Sequence, residues 1–232
     1  MRQFASMSTA SLSHLLDISP WAQTLTPAQR ARIEETASVR RIAGGGFVCR
    51  NGESVDHWIG IIDGLVKMAN VSADGKQTTF TGIRDGGWFG EGSLLKDEPR
   101  RYDIVAMRDT TAGYIPRATF MMLLDESVAF NRFLLIQLNE RLSQFIGMVE
   151  HNRLLGPDAR LARGLAGLFN PLLYPDVGPT LLLSQEEIGQ LIGVSRQRAN
   201  QALKRLQAAG LIEIEYGRVR VLSLEGLRTH ES

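Results

Sequence analysis

The sequence contains a single cysteine, Cys49, among its 232 residues. One thiol cannot form an internal disulfide, and it cannot alone hold an iron–sulfur cluster or a structural zinc ion, because both need several ligands. Long apolar runs are also absent, so the sequence predicts no membrane-spanning helix. We therefore expect Cys49 to serve as a small, buried apolar side chain.

Histidine is scarce as well, with four residues at positions 14, 57, 151 and 230. Because these positions are far apart, the sequence shows no ligand cluster for a metal ion or for haem. A cupin-type metalloenzyme is disfavoured, since His57 is the only histidine between residues 15 and 150. We expect neither a metal site nor an enzymatic activity. The N-terminal segment also lacks the apolar stretch of a secretory signal, which favours a cytoplasmic protein.

Neither sign of charge dominates the chain, which has 26 Lys and Arg residues against 25 Asp and Glu residues. Basic residues nevertheless gather between Val194 and Gly210, a stretch that contains no acidic residue. A helix face that is merely solvated usually mixes acids with bases along its length. The imbalance therefore predicts an acidic partner for this stretch.

Short apolar runs separated by glycine-containing turns fill residues 40–118. Several short strands at such spacing are typical of an all-β sandwich or barrel. The dipeptide Asp74-Gly75 lies between two runs rich in β-forming residues, which predicts a tight hairpin. The first half of the chain should therefore be mostly β-structure.

From Phe120 to Leu155 there is no proline, and apolar side chains recur at helical spacing. This pattern predicts one long, nearly continuous helix. Steps of three and four residues mark a coiled-coil seam on it. The seam consists of Leu135, Leu138, Leu142, Phe145 and Val149. We expect a second copy of the helix to cover this seam, because apolar residues lie on more than one helix face and a single sheet covers only one. The residues expected to pack on the chain's own β domain are Phe130, Phe133 and Leu134.

Signals for two shorter helices follow near the end of the chain. Ser184, with Glu187 three residues later, has the pattern of a capping box and predicts a helix over 185–191. Gly193 permits a tight turn, and Ser195 can cap the next helix. The two helices and the turn between them form a helix-turn-helix.

The second of these helices, which ends before Gly210, has apolar residues on one face and polar residues on the other. Arginine can donate two parallel hydrogen bonds to guanine, and asparagine or glutamine can pair with adenine in the same way. The residues predicted to read DNA bases are Arg196, Gln197, Asn200 and Gln201. Flanking basic side chains should contact phosphates, which add affinity without reading sequence. These are Arg198, Lys204 and Arg205.

Residues 212–221 alternate apolar and charged side chains around a Tyr216-Gly217 turn. The pattern predicts a β-hairpin in which opposite charges can pair across the open face. A hairpin after a helix-turn-helix is a wing, so this part of the chain should be a winged helix-turn-helix. Its second helix is expected in the major groove of double-stranded DNA.

The stretch "EEIGQLIGVSRQRANQALKRLQAAGLI" resembles the DNA-binding helices of the CRP/FNR family of transcription regulators. Two further stretches, "IAGGGFVCRNGESVDHWIGIIDGLVKM" and "WFGEGSLLKDEPRRYDIVA", are similar to the family's cyclic-nucleotide-binding jelly roll. The resemblance implies an α+β chain with an effector-sensing jelly-roll domain over 1–125, a long dimerisation helix over 126–155 and a winged helix-turn-helix over 156–232. It also implies a phosphate contact for Ser195 and RNA polymerase as a partner.

The same resemblance implies an effector site in the jelly roll. Family members that bind cyclic nucleotides use a Gly-Glu pair and a later arginine, and they place a Thr-Ser pair of the long helix against the purine. The residues at these places and at the adjoining backbone amides are Gly90, Glu91, Gly92, Ser93, Arg100, Arg101, Phe145 and Ile146. Phe145 and Ile146 offer no hydrogen bond to a base, and Asp103 can pair with the arginines. We therefore expect cyclic AMP to bind weakly or not at all. The effector is then expected to be another nucleotide, such as a cyclic dinucleotide, or a different small anion. A regulator that needs no ligand is the alternative.

Overall fold

The computed structural model describes residues 11–71, 74, 77–175 and 178–231. The first ten residues, which contributed to the prediction that no secretory signal is present, lie outside the described residues. Residues 72, 73, 75 and 76 also lie outside, and with them most of the predicted Asp74-Gly75 turn. No helix in the described ranges combines the length and the apolar character that a membrane span requires.

Eight strands form two four-stranded antiparallel sheets. The strands are β1 Ser38–Ile42, β2 Phe47–Cys49, β3 His57–Asp63, β4 Leu65–Val71, β5 Gln77–Arg84, β6 Trp88–Phe89, β7 Asp103–Ala106 and β8 Thr110–Pro116. The strand orders are β1-β8-β3-β6 and β2-β7-β4-β5, so strands distant in sequence pair within each sheet. This is the arrangement of a jelly roll, and the prediction of β-structure over residues 40–118 is confirmed. Strands β4 and β5 pair as a hairpin, with Val71 opposite Gln77.

Five helices accompany the jelly roll in the described residues. They are α1 Leu12–Ile18, α2 Pro27–Thr36, α3 Glu91–Lys96, α4 Arg117–Glu126 and α5 Val128–Leu154. The single helix predicted from Phe120 to Leu155 is thus two helices. Ser127 separates them, because its backbone is extended and its side chain accepts a hydrogen bond from the Phe130 N–H at 3.1 Å, which caps α5. Helix α5 alone has 27 residues, a length of about 40 Å.

A cluster of aromatic rings fastens the start of α5 to the jelly roll. Trp58 of β3 and Trp88 of β6 stack with their ring centroids 4.3 Å apart. Phe130 of α5 lies edge-on to Trp58, with centroids 5.5 Å apart. Leu134 is buried in the same cluster, and Phe133 packs against it. The prediction that this part of the helix packs on the β domain is confirmed.

The C-terminal part consists of four helices and a small sheet. Its elements are α6 Pro157–Gly167, β9 Thr180–Leu181, α7 Gln185–Ile192, α8 Arg196–Ala208, β10 Ile212–Glu215, β11 Arg218–Val221 and α9 Leu224–Thr229. The sheet has the order β10-β11-β9, and the buried apolar side chains of α6, α7 and α8 meet in one core. Helix α6 begins at Pro157, directly after Gly156. The whole chain therefore has the predicted α+β architecture.

Candidate nucleic-acid interface and effector cavity

Local hydrogen bonds define the two helices of the helix-turn-helix. The Ser184 side chain accepts from the Glu187 N–H at 3.2 Å, and the Glu187 carboxylate accepts from the Ser184 N–H at 2.7 Å. Gly193 ends α7 with a φ of 73°, in the left-handed region where glycine carries no steric cost. The Ser195 side chain caps α8 by accepting from the Arg198 N–H at 3.3 Å. The capping box, the turn and the second cap are all confirmed.

Helix α8 presents two opposite faces. Four apolar side chains on one face are buried against the other helices, and they are Ala199, Ala202, Leu203 and Leu206. The polar side chains on the other side are exposed, and they are Arg196, Gln197, Arg198, Gln201, Lys204 and Arg205. Because α8 contains no acidic residue, this face carries an unbalanced positive charge. It is suited to a polyanion.

Besides Ser195, which caps α8, two of the predicted DNA-contacting residues have side-chain partners within the protein. The side chain of Asn200 is half-buried and donates to the Gln185 side-chain oxygen at 2.8 Å, which ties α8 to the start of α7. Arg205 forms an ion pair with Asp158 at 2.5 Å. The Asp158 side chain is only 9% exposed, so Arg205 neutralises a buried carboxylate of α6. Both residues therefore hold helices together in this structure.

The wing forms as the charge pattern predicts. Glu213 lies opposite Arg220, and Glu215 lies opposite Arg218. The Glu215–Arg218 pair is 2.6 Å apart and the Glu213–Arg220 pair 3.7 Å apart. Tyr216, at the turn between these strands, is fully exposed. The predicted cross-strand pairing is confirmed.

The predicted dimer seam divides into two groups of side chains. Leu135, Leu142 and Val149 are 62%, 57% and 49% exposed, respectively. Leu138 and Phe145 are half-buried instead and face a cavity beneath the helix. The exposed side of α5 is therefore an apolar stripe that the described part of this chain leaves uncovered.

A cavity of about 530 Å³, here called the effector cavity, lies between the jelly roll and α5. The predicted effector residues that line it are Gly90, Glu91, Gly92, Arg101 and Phe145. The other three predicted residues lie elsewhere. Ser93 is buried on the inner side of α3, and Arg100 is buried behind Gly90, where it donates to the His57 carbonyl oxygen at 3.1 Å. Ile146 is 60% exposed, because one helical residue turns the side chain about 100° away from Phe145.

The pairing expected between Asp103 and the arginines does not occur. The Asp103 carboxylate accepts from the Asn51 backbone N–H at 2.8 Å. Arg101 is paired with Glu98 at 2.7 Å, and this contact raises the pKa of Arg101. Tyr102 lines the effector cavity, and its burial, with the nearby Glu91 carboxylate, raises the pKa of its phenol to about 12. The Tyr102 hydroxyl is therefore a neutral donor in this cavity.

Arg141 is a cavity residue that the sequence analysis missed. It is buried, and it donates to the Trp88 carbonyl oxygen at 3.4 Å and to the Tyr174 hydroxyl at 3.3 Å. Burial alone would lower the pKa of Arg141, but the facing Tyr174 and Glu91 oxygens outweigh it and raise that pKa. A signal was present, because Arg141 lies three residues after Leu138 and four before Phe145, on the same face of α5.

The lone cysteine is buried, as predicted, with 6% of its surface exposed. Burial raises the pKa of the Cys49 thiol to about 11, so it is neutral near pH 7. No three His, Cys, Asp or Glu side chains in the described part of the chain gather as metal ligands would.

Helix α7 is docked on the jelly roll. Arg108, between β7 and β8, donates to the Glu187 carboxylate at 2.6 and 3.0 Å. Leu191 packs directly over Gly82 of β5, where a Cβ atom would come within 2.9 Å of the leucine side chain. The contact links the jelly roll to the helix-turn-helix while the polar face of α8 stays exposed.

Comparisons with known proteins agree with this two-part organisation. A model of the cyclic nucleotide-binding domain matches residues 39–127, and a model of the Crp-like helix-turn-helix domain matches residues 159–230. The cAMP-activated global transcriptional regulator CRP of Haemophilus influenzae is 27% identical over 165 residues, which cover 69% of this chain and 73% of that protein.

Solved structures show the same fold. FixK2 from Bradyrhizobium japonicum superposes with a TM-score of 0.68 at 18% identity, over 85% of this chain and 98% of that one. The c-di-GMP responsive global regulator CLP of Xanthomonas campestris has a TM-score of 0.60 at 23% identity, over 85% of this chain and 100% of that one. The order of jelly roll, long helix and helix-turn-helix is therefore shared with these proteins.

Proposed function

The chain belongs to the CRP/FNR family of DNA-binding transcription regulators, which are not enzymes, and we propose that it acts as a homodimer on one inverted-repeat DNA site. The observation that carries this proposal is the coexistence of two unused surfaces. One is the exposed polar face of α8, and the other is the exposed apolar stripe of α5. The polar, basic face of α8 is complementary to DNA, and the apolar stripe of α5 is complementary to the same stripe of a second chain.

The apolar stripe supports dimerisation by its size and position. Four of its side chains are about half exposed or more, and they are Leu135, Leu142, Ile146 and Val149. Completing the burial of such a side chain contributes about 1 kcal/mol, so eight of them in a dimer contribute about 8 kcal/mol before the cost of association. That gross energy is comparable to the cost of association, about 4–15 kcal/mol, so a stable dimer would also bury further area around the seam.

The polar face of α8 supports sequence-specific binding. Arg196, Gln197 and Gln201 are exposed, and none of them has a side-chain partner among the described residues. We place these three side chains on base edges in the major groove, and Arg198, Lys204 and the Ser195 hydroxyl on phosphates. Two copies of α8 related by a twofold axis would read half-sites about 34–36 Å apart.

The effector cavity is proposed to bind a nucleotide or another small anion. Its lining residues include Arg101, Arg141, Tyr102 and Glu91, a combination of side chains that suits a phosphate and a sugar hydroxyl. Phe145 is one of the long-helix side chains that line the cavity, and it can stack on a base but cannot hydrogen-bond to one. We therefore propose weak binding of cyclic AMP and tighter binding of a different nucleotide or a cyclic dinucleotide.

Calorimetric titration tests the effector proposal. Cyclic AMP and cyclic di-GMP are titrated into the wild type, into Arg101→Ala and into Arg41→Ala, a matched loss of an exposed arginine on β1. We expect the tighter ligand to lose about tenfold in affinity in Arg101→Ala only, the size of one charge-assisted hydrogen bond. Tight binding of cyclic AMP would contradict the proposed preference. If neither compound nor any other nucleotide binds while DNA affinity is high, the chain is a ligand-independent regulator.

The DNA proposal is tested in two steps. Binding sites are selected from a random DNA library, and the mass of the complex with a selected site is measured by sedimentation. We expect an inverted repeat bound by two chains, whereas a single half-site bound tightly by one chain would refute the dimer. We also propose that the protein works in the cytoplasm and that RNA polymerase is one of its partners there.

A further inference from the structure

A second cavity, here called the junction cavity, lies where the jelly roll meets the C-terminal helices. Its volume is about 260 Å³, and its walls come from β5, the second half of α5, α6 and α7. The apolar part of the wall includes Phe145, Met148, Leu165 and Leu191. Elements on both sides of the break at Gly156 thus enclose one space.

The polar part of this wall carries charge of one sign. His151, Arg160 and Arg163 line the junction cavity, and no Asp or Glu is among its described lining residues. The Arg163 guanidinium donates to the Leu227 carbonyl oxygen at 3.0 Å. That bond satisfies one donor, but no carboxylate in the described part of the chain pairs with the Arg163 charge.

Arg160 is the residue that points to a ligand. Its Nε atom is shielded from solvent and has no hydrogen-bond partner in the described structure. An unpaired buried donor is costly, and the cost is larger for a charged group. Burial, together with the positive charge of Arg163, also lowers the pKa of His151, and the neighbouring Glu150 carboxylate, which acts in the opposite direction, does not offset them.

We infer that the junction cavity binds a small organic anion, a carboxylate or sulfonate with an apolar body, whose acid group accepts hydrogen bonds from Arg160. The apolar body would pack on Met148 and Leu165, which belong to the apolar part of the same cavity wall. This site is separate from the effector cavity, and the inference stands whether or not that cavity binds a nucleotide. The two cavities share a wall of three side chains, Phe80, Phe145 and Met148.

A ligand in the junction cavity would contact the jelly roll and the helix-turn-helix domain together. Because it would bind only when α7 is docked on β5, it would stabilise the domain arrangement described here by mass action. The site is thus a place where a metabolite of this class could hold the DNA-binding helices in one position.

The experiment uses two fluorescent probes on the full chain. The anionic probe is 8-anilinonaphthalene-1-sulfonate, and the uncharged one is N-phenyl-1-naphthylamine. The Arg160→Met variant keeps the apolar stem and removes the charge, and Arg153→Met removes an exposed arginine of α5 outside the cavity. We expect the sulfonate to bind one site per chain, and Arg160→Met to weaken it about tenfold while changing binding of the uncharged probe by less than twofold.

Two glycine variants locate the probe. A Cβ atom at Gly147 would meet its nearest neighbour, the His151 ring, at 3.5 Å, an ordinary contact, and Gly147 lines the junction cavity, so Gly147→Leu should place a side chain in that cavity. Gly92 has open space around it and lines only the effector cavity. We expect sulfonate binding to be lost in Gly147→Leu and kept in Gly92→Leu. The opposite result, or equal sulfonate affinity in the wild type, Arg160→Met and Gly147→Leu, would overturn the inference.

Discussion

Replacing Arg205 should destabilise the C-terminal domain more than it weakens DNA binding. Its guanidinium lies 2.5 Å from the Asp158 carboxylate, and the two side chains are 67% and 9% exposed. Removing one partner of a fully buried pair costs about 3–5 kcal/mol, because the other charge stays buried. The pair here is open to solvent on the arginine side, which screens it, so we expect about 1–2 kcal/mol.

A double-mutant cycle of Arg205→Ala, Asp158→Asn and the combined variant measures this coupling. We expect Asp158→Asn to recover most of the stability lost in Arg205→Ala, since it removes the orphaned charge. Circular dichroism is the appropriate probe, because all three tryptophans, at positions 21, 58 and 88, lie in the jelly-roll part and would not report on α6 and α8.

The matched control is Arg198→Ala, which removes an exposed arginine of the same helix. It should leave stability unchanged and reduce the salt dependence of DNA binding by about one phosphate contact. If Arg205→Ala instead leaves stability unchanged and behaves like Arg198→Ala on DNA, the ion pair has no structural role and our reasoning is refuted.

Three further predictions follow from the same surfaces. Arg196→Ala should cost about 1–3 kcal/mol and relax preference at one base position; a competition assay with single-base variants checks this, and a uniform loss on all sequences would mean a phosphate contact. Leu142→Asp should yield monomers in sedimentation while Val39→Asp, a similarly exposed site on β1, stays dimeric, and a dimer in both would disprove the seam. Because the pKa of Cys49 is about 11, about one thiol in 1000 is ionised at pH 8. Alkylation of Cys49 should therefore be slow in the native protein, faster as the pH rises towards 11, and fast after unfolding. Fast labelling of the native protein at pH 8 would contradict the burial of Cys49.

The family pattern alone could not identify which of two adjacent arginines lines the effector cavity. The match between short motifs could not decide between Arg100 and Arg101, since both follow Glu91 at a suitable distance. The structure separates them, with Arg101 at the cavity wall and Arg100 buried against the His57 carbonyl. Both arginines lie in the irregular segment between α3 and β7, where no helix or strand periodicity predicts which way successive side chains point.

The sequence by itself determined the helix-turn-helix, its exposed polar face and the wing. These depend on signals within a few residues of one another, such as the Ser184–Glu187 capping box and the alternation across Tyr216. Only the tertiary structure decided that Arg141 is buried beside Glu91, that Arg205 pairs with Asp158, and that Arg160 faces a cavity. Helical spacing shows which side chains share a face, but the group opposite that face comes from a distant part of the chain, and its distance and burial follow from how the elements pack.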